Sequence, residues 1–178
     1  KDPASHRRCA RDGYIPFISG GIGSPNNIRR LRDQVEECYV AEGRDPAAIP
    51  LGVLRFACVS DDRAVIDRYV DGARYQQRLA VSLRTRREVL VDDYMVADVP
   101  FEGEPELERI EQNLLVGSAE HVAERLCQEI ELYGPRHMNI YFQVGDLPSR
   151  AAIGSMEQFT TKVIPLVEQH FGRPLAEI

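Results

Sequence analysis

The sequence has no tryptophan, no surplus of positive charge and no long apolar run. Lys and Arg number 22 against 28 Asp and Glu, a formal net charge of −6. That balance excludes a general attraction to nucleic acid or to an acidic membrane surface. No apolar stretch reaches the length a helix needs to span a bilayer, and no secretory leader is read. Cysteines are few: Cys9, Cys38, Cys58 and Cys127 form no C-x-x-C pair and stand at no Cys/His spacing that suits zinc. No metal site is therefore expected. Three of the four lie in apolar or helical patterns, where cysteine behaves as a small hydrophobe. Reduced, structural cysteines fit a cytoplasmic protein. His6, His121, His137 and His170 have no Ser, Cys or carboxylate partner at a suggestive spacing, so the catalytic residues stay unassigned.

What is present is an ordinary globular composition, 43% hydrophobic and 28% charged over 178 residues. That is one domain's worth of chain, or a slice of a larger one, with enough length for a real core. Helices and strands alternate. A short helix is read at residues 3–11, a turn at Asp12-Gly13 and a strand at 14–18. Ser19 to Pro25 reads as a flexible glycine-rich loop. Asn26 or Asn27 is expected to cap a helix that runs to about Glu42, with Gly43 as its stop. Residues 51–59 are nearly continuously apolar, as a strand covered on both faces should be. Ser60-Asp61-Asp62 caps a helix at 63–75. Residues 76–113 are the least regular, with a helix at 79–91 and an acidic loop at 99–105. Ser118 caps a strong helix that Gly134-Pro135 ends. A third strand follows at 137–144, then a loop to Arg150 and a last helix at 155–171. Such alternation argues for βα units and a parallel sheet.

Three passages resemble the luciferase-like family of flavin-dependent monooxygenases and oxidoreductases. The first is Arg7-Arg8-Cys9-Ala10-Arg11-Asp12-Gly13-Tyr14-Ile15-Pro16. The second is Ala41-Glu42-Gly43-Arg44-Asp45-Pro46, just ahead of a strand. The third is Val116-Gly117-Ser118-Ala119-Glu120-His121-Val122-Ala123-Glu124-Arg125-Leu126, followed by a strand and by Phe159-x-x-x-Val163-Ile164-Pro165. The family fold is a (β/α)8 barrel. The resemblance implies that residues 1–178 are the C-terminal part of such a TIM barrel, about three βα units, with 76–113 as an insertion or mobile segment.

It further implies a flavin-dependent oxidoreductase: a monooxygenase that uses reduced flavin and oxygen on a small organic substrate. The implied cofactor is FMN, with a deazaflavin coenzyme as the alternative. A flavin reductase is the implied partner, a homo-oligomer the implied state, and this chain alone is expected to turn over little. The competing reading is a non-catalytic α/β half-barrel module that dimerises through its open strand edges.

In the family the cofactor phosphate sits near the start of the helix that precedes the Asp-Gly-aromatic turn. Carried over, that places Lys1, Asp2, Ala4 and Ser5 at an anion-favouring helix N-terminus. Barrel sites lie at the C-terminal ends of the strands, so Phe17, Ser19 and Gly20 are expected to face substrate. The Ser19–Ser24 glycines follow a strand and precede a helix but lack the P-loop lysine. Arg55 interrupts an apolar strand, so it either forms a barrel-core ion pair or contacts substrate. Arg84, Arg86 and Arg87 read first as a solvated helix face, second as an approach to a phosphate or an acidic substrate.

Overall fold

The computed structural model describes residues 3–96 and 99–178. Its centre is one strand, β2 (Gly52–Val59), which pairs in parallel with three others. β1 (Phe17–Ser19) lies against residues 52–54, β6 (His137–Tyr141) against 52–56, and β5 (Leu115–Gly117) against 57–59. Parallel neighbours need a crossover, and helices supply each one. α1 (Pro3–Asp12) precedes β1, and α2 (Pro25–Ala41) links β1 to β2. α3 (Arg63–Thr85) follows β2, α4 (Leu107–Asn113) leads into β5, and α5 (Ala119–Tyr133) joins β5 to β6. After β6 come α6 (Ser149–Gln158), a π-helical turn at Phe159–Val163 and α7 (Ile164–Phe171).

Alternation along β2 sorts its side chains onto two faces. Leu51 and Val53 join Ile18, Ile28, Leu31 and Val35 in a cluster under α2. Ala57 and Val59 join Val122, Leu126, Phe159, Val163 and Val167 under α5 and the C-terminal helices. On the opposite face Phe56 and Cys58 pack against Ile66, Tyr69, Val70 and Ala73 of α3 and against Ile110 of α4. We call the first face outer and the second inner.

The capping chemistry falls largely where it was expected. Asp62 accepts from the Ala64 N–H, Ser118 from the His121 N–H, and Gly134 ends α5 at φ 53°. At α2 the expectation is corrected: Ser24, not Asn26 or Asn27, occupies the cap position. Pro25 follows at the first helical position, where its fixed φ and missing N–H do no harm.

Four further readings change. α3 runs on to Thr85, where Arg86 in the left-handed region (φ 54°) stops it. The helix expected at 79–91 therefore ends early and gives way to a hairpin, β3 (Val89–Val91) and β4 (Tyr94–Val96). Its turn residues Asp92 and Asp93 both have positive φ, 49° and 64°. That is the backbone of a two-residue primed turn, which Asp tolerates better than most residues. β5 was not read as a strand, being only three residues long. The last helix begins six residues before the expected start, at Ser149. It widens into the π turn immediately before Pro165, whose missing N–H interrupts the α-helical ladder there.

Candidate functional site

The strand register lays out the inner face in rows. Phe17, Gly52 and His137 are side by side, then Ser19, Leu54 and Asn139, then Phe56 and Tyr141. In these three strands every second residue is outer, so the rows share one face. Phe56 is buried beneath α3, but Phe17 is 50% exposed and Tyr141 43%. Ser19, His137 and Asn139 are exposed too. Phe56 and Tyr141 stack at 5.6 Å between centroids with their planes 7° apart. Gly52 has no side chain to separate Phe17 from the sheet, and a Cβ there would run into the Phe17 ring. The result is an open floor of aromatic surface with a hydroxyl, an amide and an imidazole along it. Such a floor can hold a flat heteroaromatic ring and hydrogen-bond to its edge.

One wall of this floor is the 19–24 loop. It is read from sequence as flexible, yet the backbone is held at Gly20 and at Gly23. The Gly20 N–H donates to Leu54 O at 3.0 Å, and the Gly23 N–H to Gly20 O at 2.9 Å. Gly20 admits no side chain, because a Cβ would lie 2.9 Å from both Leu54 O and Arg55 Nη1. Ile22 is buried among α3 and α4 residues.

Arg55 forms an ion pair, but on the outer side of the sheet and not in a barrel core as expected. The residue is 0% exposed and points to the outer side. Its Nε and Nη2 donate to the Glu129 carboxylate, each at 2.7 Å. Nη2 also donates to Asn113 O at 2.5 Å, and Nη1 to Gly23 O at 3.4 Å. The Tyr133 hydroxyl donates to Glu129 Oε2 at 2.5 Å. Burial and the adjacent Glu129 charge push that phenol far above its ordinary range, so it remains a donor. Arg55 therefore reaches Gly20 and Gly23 of the loop from behind, on the side away from the exposed rows.

The described members of the two expected sets are not brought together. Ala4 and Ser5 are exposed in the first turn of α1. Cys38 Sγ lies 3.9 Å from Pro3 O, so α1 starts beside the last turn of α2. Because α2 leaves the C-terminal end of β1, its last turn lies at the other end of the sheet. Lys1 and Asp2 lie outside the described residues. Arg84, Arg86 and Arg87 are exposed around the end of α3.

Several residues of the site were missed. Glu129 lies on the apolar stripe of α5, between Leu126 and Tyr133, and a carboxylate there is a signal that Arg55 has a partner. His137, Asn139 and Tyr141 alternate with Met138 and Ile140, a pattern that marks a strand with one polar face. Among the described residues there is no cluster of three or more possible metal ligands, and no helix long and apolar enough to cross a membrane.

Comparisons with known proteins agree with this architecture. An uncharacterized protein of Sinorhizobium fredii, y4vJ, is 30% identical over 166 residues, 93% of this chain and 47% of its own length. The monooxygenase RslO1 of Streptomyces bottropensis superposes with a TM-score of 0.65 at 15% identity, covering 92% of this chain and 45% of that one. The FMN-complexed oxygenating constituent of 3,6-diketocamphane monooxygenase from Pseudomonas putida gives 0.61 at 18%, with 92% and 45% coverage. A secondary alcohol dehydrogenase dependent on F420 gives 0.58 at 17%, with 93% and 46%. The chain thus spans about half the length of the relatives it matches, and its sheet is part of a barrel. The profile of the luciferase-like monooxygenases matches residues 1–137, and the chain belongs to that family.

Proposed function

We propose that this chain is the C-terminal part of a flavin-dependent oxidoreductase, a monooxygenase that takes a small organic substrate. The observation that carries the reading is the inner face, whose aromatic and polar rows stand open where a barrel interior would be. Family membership supports the chemistry. FMN is the cofactor proposed, and the deazaflavin coenzyme is the alternative. When bound, the flavin would supply the redox step, with reduced FMN acting on oxygen or reduced deazaflavin passing a hydride to an acceptor.

The chain's own residues would bind and orient. Phe17 and Tyr141 offer apolar surface to a flat ring, and Ser19 and Asn139 offer hydrogen bonds to its edge. The 19–24 loop and α3 keep water from one side, which strengthens every polar contact beneath them. The start of α1 lies at the other end of the sheet, so no phosphate contact is assigned to Ala4 or Ser5. A reductase that delivers reduced flavin is the partner this reading calls for.

The test is titration of the protein with FMN, followed by flavin fluorescence. Asn139→Leu and Phe17→Ala should each weaken binding at least about tenfold, the equivalent of ~1.4 kcal/mol. Binding that neither change affects would remove the inner face from the reading.

A second reading has its own observation. Among the described residues neither β1 nor β6 has a strand partner beyond β2. Tyr14, Ile15 and Phe17 are exposed along the β1 side. Unpaired edges of this kind invite another chain, which favours a homo-oligomer. Light scattering that gives a monomer of 20.1 kDa would exclude it.

A further inference from the structure

We propose that Asn113 and Arg55 are positioning residues that clamp the 19–24 loop and tie its shape to the 76–113 segment. Asn113 is the last residue of α4, where that segment ends. Its Nδ2 donates to Ile22 O at 3.1 Å, in a buried position. Its own carbonyl accepts from Arg55 Nη2, and Arg55 Nη1 reaches Gly23 O. Two consecutive loop carbonyls are therefore held by two buried donors that are also bonded to each other.

Around the clamp the space is closed. Gly20 sits against Arg55 Nη1, and a Cβ on Gly21 would lie 3.0 Å from Gln77 Oε1 of α3. The Ile22 side chain packs in the cluster that holds Ile110 of α4 and Leu114. α3 and α4 are joined by an Arg63 to Glu111 pair at 2.6 Å, and Arg78 of α3 pairs with Glu104 at 2.5 Å. The loop thus meets the segment at the Asn113 amide, at Ile22 in the Ile110 cluster and beside Gln77, while the Arg55 guanidinium of β2 bridges Gly23 O and Asn113 O. A shift of α4 cannot leave the loop unmoved without leaving Asn113 Nδ2 or Ile22 O buried and unpaired, which is costly. The segment between α3 and β5 would in this way set the wall of the ligand face. This inference rests on reading the inner face as the ligand site, but its first test does not need a ligand.

Hydrogen exchange of the unliganded protein is that test. Asn113→Ala removes the donor to Ile22 O and keeps the backbone carbonyl for Arg55. Amides of 20–24 should exchange about tenfold faster, while those of 53–57 keep their wild-type rates. Unchanged loop rates, or one common acceleration everywhere, would overturn the clamp. Should the variant fail to fold, exchange of the wild type in rising sub-denaturing urea replaces it. Loop amides and those of 110–113 should then open at the same urea concentration, and a loop that opens first would overturn the proposal. FMN titration separates the two readings. Wild type that binds no FMN defeats the FMN reading of the inner face and leaves the clamp to the exchange data. Wild type that binds, with a tenfold loss in Asn113→Ala and unchanged thermal unfolding, supports the clamp as a device of the site.

Discussion

The outer and inner faces of β2 are made by the same eight residues, yet they are built to different ends. The outer face is Val53, Ala57 and Val59, all buried under helices and continued by Leu51 just ahead of the strand, with one charge among them. That charge, Arg55, is matched by Glu129, itself 2% exposed. The inner face is covered only toward its C-terminal end, where Phe56 and Cys58 meet α3. Its remaining neighbours, Phe17, Ser19, His137, Asn139 and Tyr141, are exposed. Closed faces hold a fold together by burying apolar area. An open face of mixed aromatic and polar residues adds little stability and is free to bind. Where a charge is needed within the strand's closed side, each nitrogen of Arg55 is given an acceptor; on the open side the polar groups are left for something else to meet.

The strongest way to break that comparison is to unpair the outer charge. Glu129→Ala leaves the Arg55 guanidinium buried without its carboxylate and should cost about 3–5 kcal/mol in urea unfolding. Arg55→Met with Glu129→Leu should recover most of that loss, because a buried pair replaced by apolar groups is often nearly neutral. Equal losses in single and double variants would mean that the pair and its bonds themselves stabilise the outer face, and that the orphaned charge is not what the single change costs. Next in size is truncation on the two faces. Val53→Ala should cost about 2 kcal/mol by removing fully buried methyl groups. Phe17→Ala, though it removes far more atoms, should cost under about 1 kcal/mol, since half of the ring is already in water. If Phe17→Ala proves the more damaging, the inner face is a core and not a binding floor.

Much of this architecture was legible in the chain, for physical reasons that differ from place to place. β2 was readable because a strand covered on both sides is apolar at nearly every position. α5 was readable because a Ser cap, an apolar stripe and a terminal glycine all agree on it. The hairpin at 89–96 was not, since Val89, Leu90 and Val91 continue the apolar spacing of α3. Its turn also uses Asp92-Asp93 where a glycine would have given the signal. The site divides in the same way. Phe17, Ser19 and Gly20 could be put forward as candidates from their place at a strand end. Asn113 could not, because its role depends on a loop 91 residues away. His137 and Asn139 gained meaning only from the register with Gly52 and Leu54.

Smaller effects sharpen the contrast further. Cys58, on the covered part of the inner face, has its thiol pushed up to about 11 by burial. Cys9 is only partly buried. Iodoacetamide at pH 8 should therefore label Cys9 first and spare Cys58 until the protein is unfolded, because the thiolate is the reacting form. Early labelling of Cys58, read by peptide mass, would show that α3 does not close that end of the face.

The most local effect concerns how α3 keeps hold of the segment that follows it. Arg78 hydrogen-bonds the Glu104 carboxyl and keeps it below the ordinary glutamate value of 4.5. Arg63 does the same to Glu111, though the Arg63 side chain is largely exposed and its contribution is screened. A lowered carboxyl favours the folded state at pH values above the ordinary one, and the benefit fades as pH falls through the lowered value. Between pH 6 and pH 3 the amides of 107–113 should therefore lose protection, after correction for the intrinsic exchange rate. Those of 53–57 should not follow, since that strand is held by apolar burial on both faces. Glu104→Gln should reproduce part of the acid effect at pH 6. Protection of 107–113 that is flat across this range would mean that packing of Ile110 alone holds α4, and that the ion pairs on α3 are ornaments of an already fixed segment.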